Sequence, residues 1–310
     1  MTVDLSVRLG RLTLPNPVLV AAGTFGYGLE FAHAVRLRFL GGLVTKTITL
    51  EARAGNPAPR LADTPSGMLN AVGLQNVGLE AFLSDKLPGL ASIGAPVIVS
   101  VLGESPEEVR ALCSRLDSQG AVSAIELNLS CPNITHASSL MVAQDPAATA
   151  EMVTAGRSAT SKPLIAKLSP DVTDIRVIAQ AAESAGADAL SVNNTFTGMS
   201  LDPRTRRSRL GTPTGGLSGP AIRPLAVYRV WQASRAVRCP VIGIGGIVRA
   251  DDALEFFLAG ATAVAVGAAN FADPAAALGV IKGVERYLAK NGLASMRDVI
   301  GKVEHAPAAR

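Results

Sequence analysis

Eight short apolar runs recur along the chain and constrain its fold more than any other feature. They are rich in β-branched residues, are bounded by Gly or Pro, and lack clean alternation; they cover 17–22, 42–46, 96–101, 123–128, 163–169, 188–194, 240–245 and 262–267. Strands that are buried on both faces have this pattern. With helical segments between them, the runs predict one closed (β/α)8 TIM barrel, a single α/β domain over residues 1–310.

Other segments complete the predicted barrel. Residues 5–17 alternate around a Gly turn and indicate an N-terminal β-hairpin at the bottom of the barrel. Ser105–Pro106 and Asp145–Pro146 have the composition of helix starts. The connections 47–95 and 195–239 are too long for simple loops; both follow strands, so we expect them on the C-terminal face, where barrel active sites lie.

Composition narrows the class of protein. The 310 residues carry 29 Lys+Arg against 25 Asp+Glu, and the basic residues are scattered, so a nucleic-acid partner is not expected. The cluster "RTRRSR" at 204–209 is interpreted as a solvated loop tip. Three cysteines and three histidines give neither a disulfide framework nor a metal site. No apolar run is long enough to span a membrane, and we expect a cytoplasmic protein.

Glycine-rich turns follow the last two predicted strands, in "GIGGI" (243–247) and "VGAAN" (266–270). Barrels often bind phosphate at this place, because glycines let backbone N–H groups approach the anion. We therefore predict a phosphate site at Gly245, Gly246, Gly267 and Ala268. The alternative is that these glycines only permit tight turns, and the pattern does not identify the molecule that carries the phosphate.

Two lysines interrupt apolar strands: Lys46 ends the second predicted strand and Lys167 lies in the fifth. An ammonium is costly to bury unless a nearby anionic group compensates its charge. A lysine that snorkels to solvent is the alternative. The pair favours a second electron-rich group at the barrel mouth, apart from the phosphate site.

Carboxamides also gather at the predicted strand ends, at Asn70, Asn128, Asn133 and Asn194. Each amide offers donors and acceptors, so a ring of them suits a small flat heterocycle with alternating C=O and N–H groups. Cys131 lies among them, just beyond the fourth strand. Cys113 is predicted to be in the core, and Cys239 at the start of a strand.

At these residues the sequence resembles a known family. "ELNLSCPN" (126–133), "GMLNAVGLQN" (67–76), "GGLSGPAI" (215–222), "GIGGI" and "VGAANF" are similar to segments of class 1B dihydroorotate dehydrogenase catalytic subunits, in order and over nearly the whole chain. The resemblance implies oxidation of (S)-dihydroorotate to orotate in pyrimidine biosynthesis. It implies that Cys131 is the base at C5, while C6 gives hydride to FMN.

The resemblance also implies which residues bind the ligands. The expected FMN-binding residues are Ala22, Lys46, Thr47, Ser100, Asn128, Lys167, Asn193, Gly219, Gly245, Gly246, Gly267 and Ala268. The family often has Asn where this chain has Ser100. Lys167 would stabilise negative charge on the reduced flavin. The expected dihydroorotate-binding residues are Lys46, Asn70, Ala71, Val72, Gly73, Leu74, Asn128, Asn194 and Thr195.

A partner is implied as well. Class 1B enzymes pass electrons to NAD⁺ through a subunit that carries FAD and a [2Fe-2S] cluster, around a homodimeric core in a heterotetramer. This chain has too few cysteines for a cluster and no dinucleotide fingerprint after its first strand. The alternatives are a fumarate-linked class 1A enzyme, another FMN-dependent dihydropyrimidine oxidoreductase, a phosphosugar isomerase or lyase without flavin, and a non-enzymatic scaffold.

Overall fold

Eight parallel strands form a closed barrel in the computed structural model, which describes residues 3–130 and 141–304. Neighbours in the barrel follow chain order, and the last strand pairs with the first. The barrel strands are β3 (Val18–Val20), β4 (Gly42–Val44), β7 (Val97–Val101), β8 (Ala124–Asn128), β9 (Leu164–Lys167), β10 (Ala189–Val192), β15 (Val241–Ile244) and β16 (Ala263–Val266). Each lies within one of the predicted runs, so the predicted (β/α)8 barrel is confirmed.

Helices surround the barrel and cover its outer face. They are α1 (Leu79–Ala81), α2 (Leu87–Leu90), α3 (Pro106–Asp117), α4 (Pro146–Ala159), α5 (Ile175–Ser184), α6 (Arg223–Ala236), α7 (Ala250–Leu258), α8 (Ala269–Ala272) and α9 (Ala276–Lys290). A π-helical turn at Phe82–Lys86 joins α1 to α2. The two predicted helix starts are confirmed: Ser105 accepts from the N–H of Glu108, and Asp145 accepts from those of Ala147 and Ala148.

The N-terminal hairpin lies at the amino-terminal end of the barrel, as predicted. Strands β1 (Val7–Leu9) and β2 (Leu12–Leu14) are antiparallel, and Leu9 and Leu14 are buried. A Cβ placed on Gly10, in the turn, would lie 2.9 Å from the Cβ of Asp188, the residue before β10. The hairpin therefore packs against the start of a barrel strand, far from the face where sites form.

The two long insertions build one antiparallel sheet together. β5 (Leu61–Thr64) and β6 (Gly67–Asn70) come from the first insertion, and β11 (Phe196–Gly198) and β14 (Gly215–Ser218) come from the second. Their order is β11-β14-β6-β5, with β14 paired to β6. Because both insertions follow barrel strands, this sheet lies on the carboxyl-terminal side, as predicted for the insertions.

The arginine cluster lies in a separate two-stranded hairpin. β12 (Leu201–Asp202) pairs with β13 (Arg207–Ser208), and all four arginines at 204, 206, 207 and 209 are exposed. This agrees with the interpretation of a solvated loop tip. Within the ranges 3–130 and 141–304, no helix has the length and apolar character needed to cross a membrane.

Candidate active site

Alternation along β8 and β9 decides which side chains enter the barrel. A Cβ on Gly156 of α4 would lie 3.0 Å from Leu127 and 3.4 Å from Leu164, so both leucines face the helices. Successive side chains of a strand point to opposite faces. The alternate positions, Glu126 and Asn128 on β8 and Lys167 on β9, therefore point into the barrel. Asn128 and Lys167 are register partners near the carboxyl ends of their strands.

A chain of hydrogen bonds crosses the mouth of the barrel. Thr47 Oγ1 lies 2.9 Å from Ser100 Oγ and accepts from Asn128 Nδ2 at 3.3 Å. Ser130 Oγ donates to Asn128 Oδ1 at 2.9 Å and accepts from Asn194 Nδ2 at 2.6 Å. The network thus joins residues on or after four barrel strands: β4, β7, β8 and β10. It brings together four of the residues expected to hold ligands.

Lys167 and Asn193 are buried beside this network, with exposed fractions of 5% and 1%. Among the described residues, Lys167 has no ion-pair partner within 4.0 Å. In the part of the chain that the structure describes, the buried Asn193 Oδ1 has no hydrogen-bond partner, and its Nδ2 donates to the carbonyl of Asn194 at 2.6 Å. A buried ammonium without an ion-pair partner and a buried amide oxygen without a hydrogen-bond donor, among the described residues, indicate that this place is built to contact a polar ligand.

The two glycine turns lie side by side, after β15 and β16. The N–H groups of Gly245, Gly246, Gly267 and Ala268 have no backbone acceptor in the described part of the chain. Gly246 has φ +70°, and a Cβ there would lie 2.8 Å from the carbonyl oxygen of Gly219. This contact links the second insertion to the predicted phosphate site. Unpaired amide donors next to glycines are what a phosphate requires.

The first barrel strand ends beside the same turns. A Cβ on Gly267 would lie 3.9 Å from the Cβ of Ala21, so Ala22, the next residue, is close to the turn after β16. The backbone at Gly267 is outside the left-handed region, and a Cβ there would make only ordinary van der Waals contacts, at 3.9–4.0 Å. The strand ends of β3, β15 and β16 therefore converge at one place on the rim.

Lys46 follows β4 by two residues and is half-buried. Its backbone N–H donates to the carbonyl of Gly26 at 2.8 Å. Burial lowers the pKa of the Lys46 ammonium; Arg60 lowers it further, while Glu30 opposes the shift. The lowered pKa reflects a cation held in a confined, partly desolvated place, where an incoming anion would stabilise it.

The 70–74 loop is fixed by backbone contacts at the edge of the insertion sheet. Asn70 Nδ2 donates to the carbonyl of Gly216 at 3.1 Å. The N–H of Ala71 donates to the carbonyl of Arg60 at 2.8 Å, and the carbonyl of Val72 accepts from the N–H of Asn56 at 3.0 Å. Gly73 and Leu74 have φ +74° and +55°, which form the tight turn.

Gly216, the register partner of Asn70, leads from this sheet back to the network. A Cβ on Gly216 would lie 2.0 Å from Thr195 Oγ1, so Gly216 allows the strand to pass close to Thr195. The N–H of Thr195 donates to Asn194 Oδ1 at 2.9 Å. Asn70 therefore reaches Asn194 through Gly216 and Thr195, rather than by a direct contact.

Cys131 and Asn133 lie outside the described residues, so their predicted roles stay predictions. The other two thiols agree with the sequence-based assignment. Cys113 is buried in α3, and Cys239 comes just before β15. Burial raises the pKa of each to about 12, helped at Cys239 by Glu183. Both are therefore protonated at neutral pH and are poor bases or nucleophiles.

Three groups were missed from the sequence. Ser130 bridges two predicted carboxamides, and its place inside "LNLSCPN" was an available signal. Glu126 is 1% exposed, and an acid between apolar strand residues could have marked it. Arg223 pairs with Asp252, which also accepts from the N–H groups of Val248 and Arg249 and so holds the turn after β15. No local pattern predicts that last pair.

A closed parallel barrel with polar groups gathered at its carboxyl-terminal face defines the class: this is the architecture of (β/α)8-barrel enzymes. The family model for dihydroorotate dehydrogenase matches residues 4–288. The chain belongs to the dihydroorotate dehydrogenase family.

Individual relatives agree with this family. A protein of Trichlorobacter lovleyi is 54% identical over 304 residues, covering 98% of this chain and 100% of the relative. A protein of Geobacter sulfurreducens is 53% identical over 301 residues, covering 97% and 98%. Both are named dihydroorotate dehydrogenase B (NAD(+)), catalytic subunit. The DHODH of Eimeria tenella, solved with ferulenol, superposes with a TM-score of 0.78 at 25% identity, covering 96% of this chain and 88% of that one.

Proposed function

We propose that this chain oxidises dihydroorotate to orotate in pyrimidine biosynthesis, as the catalytic subunit of an NAD⁺-linked dihydroorotate dehydrogenase. The observation that carries the proposal is the hydrogen-bond network that runs from Ser100 through Asn128 and Ser130 to Asn194. It presents carboxamides and hydroxyls at the barrel mouth, which suits the alternating C=O and N–H groups of a dihydropyrimidine ring. The relatives' names support the same reaction.

The proposed cofactor is one FMN per chain. Its phosphate would be held by the unpaired N–H groups of Gly245, Gly246, Gly267 and Ala268. The orphaned Asn193 Oδ1 and the buried Lys167 fit a polar, electron-rich ring system. Ala22, Thr47 and Gly219 border these groups. When bound, the flavin supplies a hydride acceptor for the substrate.

Substrate binding falls to the side chains on the other side of the mouth. The Lys46 ammonium attracts the substrate carboxylate, and its partial burial strengthens that attraction. Asn128 and Asn194 hold the ring, and Ser130 fixes the orientation of both amides. The 70–74 loop and Thr195 close the site from the insertion sheet.

Proton removal is assigned to Cys131. Its thiolate would take the proton from C5, which is acidic because it lies next to a carbonyl group. A thiol with a pKa of ~8.5 is mostly protonated at neutral pH, so the reaction should accelerate as the pH rises. Lys167 would stabilise the negative charge that develops in the flavin site.

Electron transfer to NAD⁺ needs a partner. In residues 3–130 and 141–304, no group of three or more His, Cys, Asp or Glu side chains could hold a metal ion. The relatives' printed name, catalytic subunit, supports a separate subunit. We assign FAD and the [2Fe-2S] cluster to that electron-transfer subunit, bound to a homodimer of this chain in a heterotetramer. We assign the assembly to the cytoplasm.

The test is an assay of the purified chain, alone and with its electron-transfer subunit. The chain alone should be yellow, release FMN on denaturation, and oxidise dihydroorotate with an artificial acceptor such as dichlorophenolindophenol. It should reduce NAD⁺ only with the subunit present. Efficient NAD⁺ reduction by the chain alone would contradict the proposal, and a preference for fumarate would indicate the class 1A alternative. A colourless, inactive protein would favour a non-flavin barrel.

A further inference from the structure

Glu126 is a carboxylic acid inside the barrel that the proposed mechanism does not use. It lies on β8, is 1% exposed, and points inward beneath Asn128. Its Oε2 accepts from Ser191 Oγ at 2.8 Å, and its buried Oε1 has no hydrogen-bond partner within residues 3–130 and 141–304. A half-satisfied acid in a barrel interior is costly unless a nearby charge compensates it.

Lys167 is the inward-pointing cation that the strand register places next to Glu126. β8 pairs with β9, Glu126 opposite Ile165 and Asn128 opposite Lys167. β10 pairs with β9 on its other side, Ser191 opposite Lys167. The Glu126–Ser191 hydrogen bond therefore passes across β9 just below Lys167. This places Glu126 one layer beneath Lys167, on adjacent strands.

The two groups are not in contact. Among the described residues, neither belongs to an ion pair with an N–O distance of 4.0 Å or less. In a water-poor interior, however, opposite charges attract over longer distances than in solvent. Ser100 and Ser191, the polar register neighbours of this layer, carry no charge that could compensate either group.

We propose that Glu126 is the buried counter-charge of Lys167, a positioning residue that compensates the charge of this lysine next to the flavin site. The inference rests on the proposed function only for the role that Lys167 has beside the flavin. The charge pair itself is argued from the structure of the barrel. Without Glu126, Lys167 would be an isolated buried cation. Without both, neither charge is present, and nothing is left uncompensated at this place.

The test is a double-mutant cycle on the unfolding equilibrium of the full-length chain, in urea at neutral pH. It is run with excess FMN and again after FMN removal. Glu126→Gln should raise the unfolding equilibrium constant by about 100-fold or more in the parent chain, because breaking a buried pair leaves one charge uncompensated. In the Lys167→Met background the same change should have less than about a tenfold effect, or should stabilise.

Two further variants separate charge from shape. Glu126→Asp keeps the charge and should retain most of the coupling to Lys167. Ser191→Ala removes the hydrogen bond to Glu126 but leaves both charges, so its effect should be the same in both backgrounds. If Glu126→Gln does not fold, recovery of a folded Glu126→Gln/Lys167→Met protein supports the coupling, and failure of that double variant contradicts it.

Equal effects of Glu126→Gln in both backgrounds would overturn the inference. Because the cycle measures folding without turnover, that result would leave the proposed reaction untouched. Conversely, a parent chain that binds no flavin but shows the coupling would sink the proposed function and leave the charge pair intact.

Discussion

The side-chain amide of Asn194 donates to Ser130 Oγ at 2.6 Å, which joins the ends of two strands that are not neighbours in the barrel. The same hydroxyl donates to Asn128 Oδ1. Ser130 therefore decides which way both amides face, since each carboxamide offers a donor on one side and an acceptor on the other.

Ser130→Ala should lower kcat/KM for dihydroorotate by about 30-fold, because two hydrogen bonds of about 1 kcal/mol each are lost from the site. Steady-state assays with an artificial acceptor measure this. Ser158→Ala is the control, since that hydroxyl donates to the carbonyl of Ala155 within α4. Equal kinetics for the parent and Ser130→Ala would mean that the amides are oriented by other groups.

Gly267→Leu should abolish flavin retention while leaving stability almost unchanged. The position is outside the left-handed region, and a Cβ there would make only ordinary van der Waals contacts with Ala21 and Thr24, at 3.9–4.0 Å. A side chain therefore fits the fold but occupies the place next to the amide donors. Gly246→Leu should lose both flavin and stability, because its φ of +70° disfavours any side chain. Absorbance spectra and urea unfolding distinguish the two.

Gly279→Leu, on the exposed side of α9 with nothing within 4 Å of its Cβ, is the control for the added side chain. It should retain flavin like the parent chain. A yellow Gly267→Leu protein with full flavin occupancy would count against the phosphate assignment.

The pH profile of orotate affinity should have an alkaline limb, a fall in affinity that comes from deprotonation of Lys46. Its folded-state pKa is lowered, so the ammonium loses its proton below the usual value of about 10.4. Orotate affinity should therefore fall as the pH rises toward that value. Lys46→Met should reduce affinity at neutral pH by about tenfold or more and remove this limb. Titrations of bound flavin absorbance with orotate, from neutral to alkaline pH, measure it.

The same shift affects stability with a definite sign. Between the lowered pKa and the ordinary one, the unfolded chain binds more protons at Lys46 than the folded chain does, so this group's contribution to stability rises with pH in that window. Lys290→Met, which removes an exposed lysine at the end of α9, is the control for both Lys46 predictions, orotate binding and stability. An alkaline limb that persists in Lys46→Met would assign the titration to another group.

Cys131→Ala should slow flavin reduction by dihydroorotate about 10²–10⁴-fold, the usual contribution of a general base. Anaerobic stopped-flow absorbance across pH is the measurement, and Cys131→Ser should retain little of the rate because a hydroxyl is a far weaker acid. Cys239→Ser is the control, since burial raises the pKa of that thiol to about 12. Near-parental reduction by Cys131→Ala would show that the thiol is not the base.

The barrel was predictable because each strand that is buried on both faces has an apolar, β-branched sequence pattern. Lys167 was predictable because a cation is conspicuous in such a strand. Glu126 was missed although an acid between apolar strand residues was an available signal; that its side chain enters the barrel depends on how the neighbouring strands and helices pack. The side of a strand becomes known only when its neighbours are known.

The insertion sheet was beyond prediction for a different reason. The pairing of Gly216 with Asn70 and of Ser218 with Met68 joins segments about 150 positions apart, through short strands rich in glycine. Nothing in either segment specifies the other. The sequence placed both insertions on the correct face, but the contact that fixes the 70–74 loop is a property of the assembled fold.

That long-range sheet sets an order of events during synthesis. Ser218 and Met68, which meet through a hydrogen bond, are separated by 150 positions. At about 5–20 residues per second, a ribosome needs roughly 8–30 s to produce the second strand after the first. Until β14 emerges, β6 has no partner on that edge. A ligand that binds only the completed site can therefore stabilise only chains whose translation has passed β14, and truncated products are left without that protection.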